Sequence, residues 1–128
     1  MTLTKLKHLV IHTNQIEAIP DNIGILTQLE LLSITENRIR NLPGSIGKLK
    51  ALKRLVAGKN LISCLPESIG TMSSLESLSL KENPIETLPK SITYLKNIKS
   101  LLLSDTKVEE NYLIKTLRRK GINVYLEK

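Results

Sequence analysis

Asparagine recurs at a constant spacing of 23 residues along this chain, at Asn14, Asn37, Asn60 and Asn83, and Thr106 continues the series. A sequence that repeats at one short, fixed period is built from similar units that stack on one another. A single unit of this kind cannot bury its own apolar side chains, so each unit depends on its neighbours. The period therefore predicts a solenoid, a class of fold that usually works by offering surface.

Leucine and isoleucine keep the same register as asparagine. Each unit opens close to LxxLxLxxN, and the first four units continue with a segment close to LPxxIG, as in residues 29–47. Beyond Val108 that segment is absent. The fourth copy departs from the pattern at Thr93, where the first three copies have Gly24, Gly47 and Gly70. Seven apolar positions recur in a unit, and full burial of each contributes about 1.5–3 kcal/mol. Stacking of the units is the way to bury them.

This pattern resembles the leucine-rich repeat family, in its 23-residue class written LxxLxLxxNxLxxLPxxIGxLxx. That class occurs in Ras-group-related intracellular proteins and in many bacterial proteins. The match covers essentially the whole chain and rests on four nearly full copies in constant register. The resemblance implies an α/β fold, a curved right-handed solenoid with a concave parallel β-sheet, used mostly as a scaffold for binding other proteins.

The alternation of side chains in the first half of a unit predicts a short strand with one buried face. Leu9 and Ile11 point inwards, and His8, Val10 and His12 point outwards. The asparagine that follows can both donate and accept, and it satisfies backbone groups that the turn leaves unpaired. The proline then ends regular pairing, and the IGxLxx segment returns the chain as a short helical turn or an extended segment.

Residues 1–128 are expected to form one domain with a continuous core and no linker. The repeats are predicted at about 6–28, 29–51, 52–74, 75–97 and 98–120, with a C-terminal cap over about 107–128. The cap is an amphipathic helix with acidic residues first, basic residues last and Gly121 as its stop. Val124 and Leu126 fall in the columns of Leu101 and Leu103, which predicts a short last strand.

The N-terminal end lacks a corresponding cap in the sequence. Leu3 already occupies the column of Leu26, so the chain begins inside a repeat and the first strand is left with an open edge. An open edge invites pairing with another strand. Three explanations stay open: self-association, a missing upstream cap, and a fragment of a longer protein.

The outward side of the predicted sheet is the candidate binding surface. Equivalent positions on parallel strands about 4.8 Å apart form ladders across it. We call the candidate residues the concave strip: His8, Val10, His12, Leu31, Ser33, Thr35, Arg54, Val56, Gly58, Ser77, Ser79, Lys81, Leu102 and Tyr125.

Three residues of the concave strip are the best candidate anchors for a partner. Arg54 and Tyr125 are residue types favoured at binding hot spots, and Leu102 is expected beside Tyr125. The alternative is that the concave strip carries ordinary solvated side chains. The family resemblance favours binding.

The net charge of +7 argues weakly for an anionic partner. The charges on the strand face nearly balance, and the excess is dispersed over the loops, the outer surface and the terminal helix without aromatic platforms for bases. We therefore expect neither nucleic acid nor a membrane surface as the partner. The compartment stays unknown: no signal-like or membrane-spanning run is present, which fits the cytoplasm, with a secreted or bacterial surface location as the alternative.

The sequence gives no pattern for catalysis, a cofactor or a metal. His8 and His12 share a face but lie roughly 13 Å apart along the strand, too far to hold one metal ion. His12, Thr35 and Glu36 superficially resemble a base, nucleophile and acid, yet an open sheet supplies no oxyanion donors. The glycines mark the repeat and open no phosphate-binding loop. We predict a non-enzymatic protein-binding module; the alternative is an assembly element that self-associates through its N-terminal edge.

Overall fold

The computed structural model describes residues 4–127 of the 128-residue chain. Leu3 and Lys128 lie outside the described residues. The predicted position of Leu3 in the first repeat is therefore not addressed by the structure.

Six three-residue strands form one parallel sheet in which each strand pairs with the next along the chain, in the order β1-β2-β3-β4-β5-β6. Their register is the 23-residue repeat itself, because Leu9 lies opposite Leu32 and Leu101 opposite Val124. The parallel sheet of the predicted solenoid is thus confirmed. The strands are β1 (His8–Val10), β2 (Leu31–Ser33), β3 (Arg54–Val56), β4 (Ser77–Ser79), β5 (Ser100–Leu102) and β6 (Asn123–Tyr125).

The return segments form 3-10 helices, a choice that the sequence left open. Each helix follows a proline that comes after a leucine or, in the first unit, after Ile19, and the prolines have φ between −70° and −67° with an extended ψ. Proline fixes φ near this value and has no N–H to leave unpaired, so it suits the position before a helix. The four helices are η1 (Asp21–Ile25), η2 (Gly44–Lys48), η3 (Glu67–Thr71) and η4 (Lys90–Tyr94).

The core is one apolar layer between the sheet and the row of 3-10 helices. It is complete from the second unit onwards, where Leu29, Leu32 and Ile34 are fully buried. The first unit is only partly covered, and Leu6 and Leu9 pack against the core while remaining partly exposed. Each coil therefore needs the preceding coil to finish its burial, as expected for a solenoid.

Asparagine side chains tie successive coils together beside the sheet. The Oδ1 of Asn60 accepts from the backbone N–H of Ile39 at 3.1 Å in the preceding coil. Its Nδ2 donates to the carbonyl oxygens of Ile34 in that coil and Ala57 in its own, at 2.9 and 3.2 Å. The same three bonds are made in the neighbouring coils by Asn37 and Asn83. A side chain that donates and accepts is needed to satisfy these buried backbone groups.

The two ends of the asparagine series behave differently. Asn14 is exposed, and its side chain makes one hydrogen bond within residues 4–127, which it donates to the carbonyl of His12 at 2.9 Å. The expectation that this side chain serves interior backbone groups is wrong for Asn14, because the described residues include no earlier coil for it to reach. Thr106 is buried and closes its own turn by donating to Leu103 at 2.7 Å and accepting from Val108 at 3.3 Å.

The glycine column is required by close approach of neighbouring 3-10 helices. A Cβ built on Gly47 would lie 2.7 Å from the carbonyl oxygen of Ser68, and one on Gly70 would lie 2.4 Å from that of Ser91. Contacts under 3.0 Å are essentially never made by real Cβ atoms. At the fourth position of this column stands Thr93, which has a Cβ. It is tolerated because the helix that packs against η4 from the next coil is α1 and not another 3-10 helix.

The C-terminal cap is the helix α1 (Tyr112–Arg119), followed by β6. Asn111 is its N-cap, and its side chain accepts from the backbone N–H of Ile114 at 2.9 Å. Gly121 has φ of 89°, a left-handed value that glycine adopts without strain, and it follows the helix as predicted. Gly121 stands 23 residues after Ile98, which is buried, but Gly121 itself is exposed. The next residue, Ile122, is buried instead, a shift of one residue that the 23-residue period did not predict.

Candidate functional site

The strand register aligns the concave strip into continuous ladders. Val10 lies opposite Ser33, which lies opposite Val56 on the next strand. At the other end of the sheet Leu102 lies opposite Tyr125, so these two predicted anchors are adjacent. Arg54 begins β3, two strands from the Leu102 position. The three anchors thus lie on the same face of the sheet, in which neighbouring strands are about 4.8 Å apart.

Among the apolar residues of the concave strip, exposure is greatest at the two ends of the sheet. Val10 is 52% exposed and Tyr125 is 42% exposed, whereas Leu31, Val56 and Leu102 are half-buried. Solitary exposed apolar groups are ordinary on a protein surface, but here four apolar residues lie in one ladder from Val10 to Tyr125, with a serine at that position on β2 and on β4. The concave strip therefore offers an apolar surface that is bounded by two exposed side chains.

The middle of the concave strip is lined by small residues. Ser77 and Ser79 are half-buried, and the hydroxyl of Ser77 lies 3.2 Å from that of Ser100, which is next to it on β5 but is not one of the strip residues. Gly58 is buried and presents only backbone, and a Cβ built there would lie 3.3 Å from the carbonyl oxygen of Lys81. The structure thus places Gly58 on the strip but gives it no side chain with which to bind.

Two polar groups of the strip distinguish it from a fully satisfied surface. The Oγ1 of Thr35 is buried and has no hydrogen-bond partner among residues 4–127. After the end of β1, Nδ1 of His12 lies 3.1 Å from the hydroxyl of Thr13, and His12 is exposed. Both groups belong to the ladder of His12, Thr35 and Gly58, which lies just beyond the ends of the strands.

The residue that follows this ladder adopts a left-handed backbone conformation in every unit. The five residues have φ between 55° and 60°, and none is glycine or asparagine: Thr13, Glu36, Lys59, Glu82 and Asp105. This conformation costs roughly 1–2 kcal/mol for a residue with a Cβ. It turns the chain sharply out of each strand, which positions the following asparagine to bridge the coils. The sequence carried little signal for it, because only Asp105 among the five is of a residue type that favours φ above zero.

The described residues hold no group of three or more His, Cys, Asp or Glu side chains placed to bind a metal ion. Cys64 is exposed and lies 3.8 Å from the side-chain oxygen of Asn41 on the loop side of the coils. Among the described residues, neither Cys64 nor the histidines therefore extend the concave strip into a cluster of metal-binding side chains.

None of the described helices combines the length and apolar composition needed to cross a bilayer.

Sequence reasoning missed a second exposed surface, on the outer side of the molecule near α1. Tyr94 at the end of η4 is 70% exposed, and Tyr112 at the start of α1 is 76% exposed. Both residues stand at positions where the repeat pattern sets no requirement, so the period gives no information about them. Their proximity follows from the packing of α1 against η4.

The repeats and their geometry agree with a known family of sequences. The family model described as leucine-rich repeat region matches residues 1–81, and a second model, described as leucine rich repeat, matches residues 74–95. The chain belongs to the leucine-rich repeat family. Members of this family are typically non-enzymatic modules for protein–protein interaction. Assignment to the 23-residue class within the family stays a prediction.

Solved structures of leucine-rich-repeat proteins share this fold. An internalin from Listeria monocytogenes is 28% identical with a TM-score of 0.78, and the alignment covers 96% of this chain and 35% of the internalin. The plant peptide hormone receptor RGFR1, solved in complex with RGF2, is 32% identical with a TM-score of 0.77, over 83% of this chain and 18% of the receptor. A leucine-rich-repeat protein of Leptospira interrogans is 25% identical with a TM-score of 0.66, over 95% and 37%.

The chain thus spans well under half the length of each of these structures. Among curated protein sequences, none matches the chain significantly.

Proposed function

We propose that this leucine-rich-repeat solenoid is a non-catalytic module that binds a protein partner through the concave strip. The observation that carries the proposal is the adjacency of Leu102 and Tyr125 on neighbouring strands, with Arg54 two strands away from Leu102 on the same face. An aromatic ring beside an aliphatic side chain, with an arginine within reach, has the composition of a binding hot spot.

The rigidity of the sheet supports the same conclusion. Each strand is paired with the next through the backbone, and the asparagine bridges of Asn37, Asn60 and Asn83 add to this over the first four coils. Side chains on a fixed backbone lose little conformational freedom when a partner binds, which lowers the entropic cost of association. Recognition then depends on which side chains occupy each position of the ladders. The proposed function is binding without catalysis.

The comparison with RGFR1 agrees with a polypeptide partner. That receptor was solved with RGF2 bound, and it shares 32% identity with the present chain. We extend from it only the class of partner, a protein or peptide, because the alignment covers 18% of the receptor. We also propose that residues 1–128 form one folding unit, since the core runs without interruption from Leu29 to Val124.

Affinity capture with paired variants tests the concave strip. The variant Arg54→Glu with Leu102→Glu places two charges in the proposed contact area and should remove the partner that the unchanged chain captures. The matched control is Arg40→Glu with Leu61→Glu, which makes the same chemical changes at two exposed positions outside the concave strip. Mass spectrometry of the captured proteins gives the readout. Loss of the same proteins from both variants, or from neither, contradicts the proposal.

A second candidate function is self-assembly through the N-terminal edge. The side of β1 away from β2 carries no strand among the described residues, and Leu9 and Ile11 beside it are only partly buried. Their counterparts one coil later, Leu32 and Ile34, are fully buried. A second chain, or a further coil, placed against β1 would complete this burial in the same way.

Solution mass separates the two candidates. If the N-terminal edge assembles, light scattering at high concentration gives a multiple of the monomer mass, and Val10→Glu returns it to the monomer. Arg54→Glu with Leu102→Glu should leave the mass unchanged. A monomer mass at every concentration rules out self-assembly and leaves the concave-strip proposal unaffected.

A further inference from the structure

The regular stack of 3-10 helices ends at η4, and a groove opens where it ends. Along the stack, Gly24, Gly47 and Gly70 allow each helix to approach the next closely. The fourth position is Thr93, and the helix that packs against η4 from the next coil is α1. The space between η4 and α1 is a cavity of about 610 Å³. Drug-sized and peptide side-chain ligands occupy clefts of about 300–1,000 Å³.

The walls of this groove are apolar and its rims are aromatic. Leu88 and Leu113 line it and are partly buried against the core. Tyr94 and Tyr112 also line it and have the two highest exposures among the large apolar side chains of the described residues. Two tyrosines this exposed around an apolar floor form a surface suited to seat an apolar side chain from another molecule.

Three cations contact the residues that line the groove. Lys90 is itself a lining residue. The Nζ of Lys120 donates to the carbonyl oxygen of Thr93 at 2.9 Å, and the guanidinium of Arg119 lies 5.9 Å from the centre of the Tyr112 ring. The cations therefore lie on η4, at the last residue of α1 and at Lys120 just after it, and Arg119 also lines a separate shallow cleft with Glu110.

Carboxylates contribute little at this place. None of the described residues that line the groove is acidic. Acidic residues adjoin the groove at three places: Glu110 is paired with Arg118, Glu86 is paired with Lys107, and Glu67 lies in the adjoining cleft that Lys90 also lines. The local field in the groove is therefore positive, and it favours an occupant with negative charge.

We propose that the groove between η4 and α1 binds a short acidic segment of a partner protein, with one apolar side chain seated between Tyr94 and Tyr112. The carboxylates of that segment face Lys90, Arg119 and Lys120. The floor of Leu88 and Leu113 favours a side chain over a nucleotide base, which would leave its polar edge without a partner there. This surface lies outside the concave strip, so the proposal goes beyond the function proposed above and does not depend on it.

Fluorescence anisotropy with synthetic peptides tests the proposal on the full chain. The probe is a fluorescein-labelled Glu-Asp-Leu-Phe-Asp-Glu peptide. The comparison peptides are Lys-Arg-Leu-Phe-Arg-Lys, which reverses the charge, and Glu-Asp-Ala-Ala-Asp-Glu, which removes the apolar side chains. We expect the probe to bind about tenfold or more tightly than either comparison peptide, and to bind more weakly as salt is added.

Paired variants place the binding in the groove. Tyr112→Ala and Lys90→Glu should each weaken binding of the probe about tenfold, because each removes one side of the proposed contact. The controls are Ile25→Ala, which removes an exposed apolar side chain elsewhere, and Arg40→Glu, which makes a matched charge reversal. Neither control should change the affinity, and Leu102→Glu on the concave strip should not change it either.

Several results would overturn the proposal. They are equal affinity for the probe and the charge-reversed peptide, unchanged affinity in both Tyr112→Ala and Lys90→Glu, and absence of binding. Tighter binding of a labelled single-stranded oligonucleotide to the same residues would assign the groove to nucleic acid instead. A doubled mass in sedimentation that Tyr112→Ala reverses would assign it to a second copy of this chain.

Discussion

The carbonyl oxygen of Ser91 occupies the space that a side chain on Gly70 would need, since a Cβ built on Gly70 would lie 2.4 Å away from it. The obstacle is backbone, which cannot move aside as a flexible side chain can. Gly70 belongs to η3 and Ser91 to η4, so this contact sets how closely the third and fourth units stack.

Gly70→Ala should therefore destabilise the chain by about 1–3 kcal/mol, the usual range for forced overpacking. Gly44→Ala is the control, because a Cβ there meets nothing within 4 Å among the described residues. That substitution should be neutral or stabilise by about 0.4–1 kcal/mol by restricting the unfolded chain. Urea denaturation measures both. Similar midpoints for the two variants would show that helix contact does not require the glycine.

Asn60→Ala tests the bridges between coils. The substitution removes the acceptor for Ile39 and the donor to Ile34 and Ala57, and each buried group left unsatisfied costs about 1–3 kcal/mol. Asn14→Ala is the matched control at the exposed start of the series, and it should change stability by less than about 0.5 kcal/mol. The denaturation midpoints should differ clearly, and equal midpoints would show that the bridges contribute no net stability.

Glu82→Asn tests the left-handed column. Glu82 has φ of 55°, and asparagine tolerates this conformation better than other residues with a Cβ. The variant should be more stable by about 0.5–1 kcal/mol. Glu30→Asn makes the same change in charge at a position outside the positive-φ column and should not stabilise. The measurement is the free energy of unfolding of both variants. If Glu82→Asn is no more stable than Glu30→Asn, the left-handed conformation of Glu82 does not cost stability as predicted.

The register of the sheet was predictable because it depends on a period alone. Leu9, Leu32 and Leu101 occupy one column of the sequence and lie on paired strands. The conformation of the return segments was not predictable, since the LPxxIG pattern is compatible with both a helical turn and an extended segment. The end of the helix at Gly121 followed from its residue type, whereas the buried position of Ile122 depended on how α1 meets β6.

The ladders of the concave strip were also predictable, but their accessibility was not. Alternation along a strand assigns Val56 and Gly58 to the outward face, yet Gly58 is buried there by its neighbours. The groove beside Tyr112 escaped prediction for a related reason. Its walls come from η4 and α1, two elements of different type, and no repeat relates their positions.

Hydroxyl-radical footprinting of the captured complex tests the central claim most directly, because it reports the solvent exposure of individual side chains. Tyr125 and Val56 lie on the concave strip, and the exposed Ile25 on η1 serves as an internal reference away from it. We predict that partner binding lowers the oxidation of Tyr125 and Val56 and leaves that of Ile25 unchanged. Unaltered oxidation of both strip residues in a complex that remains intact would contradict the account.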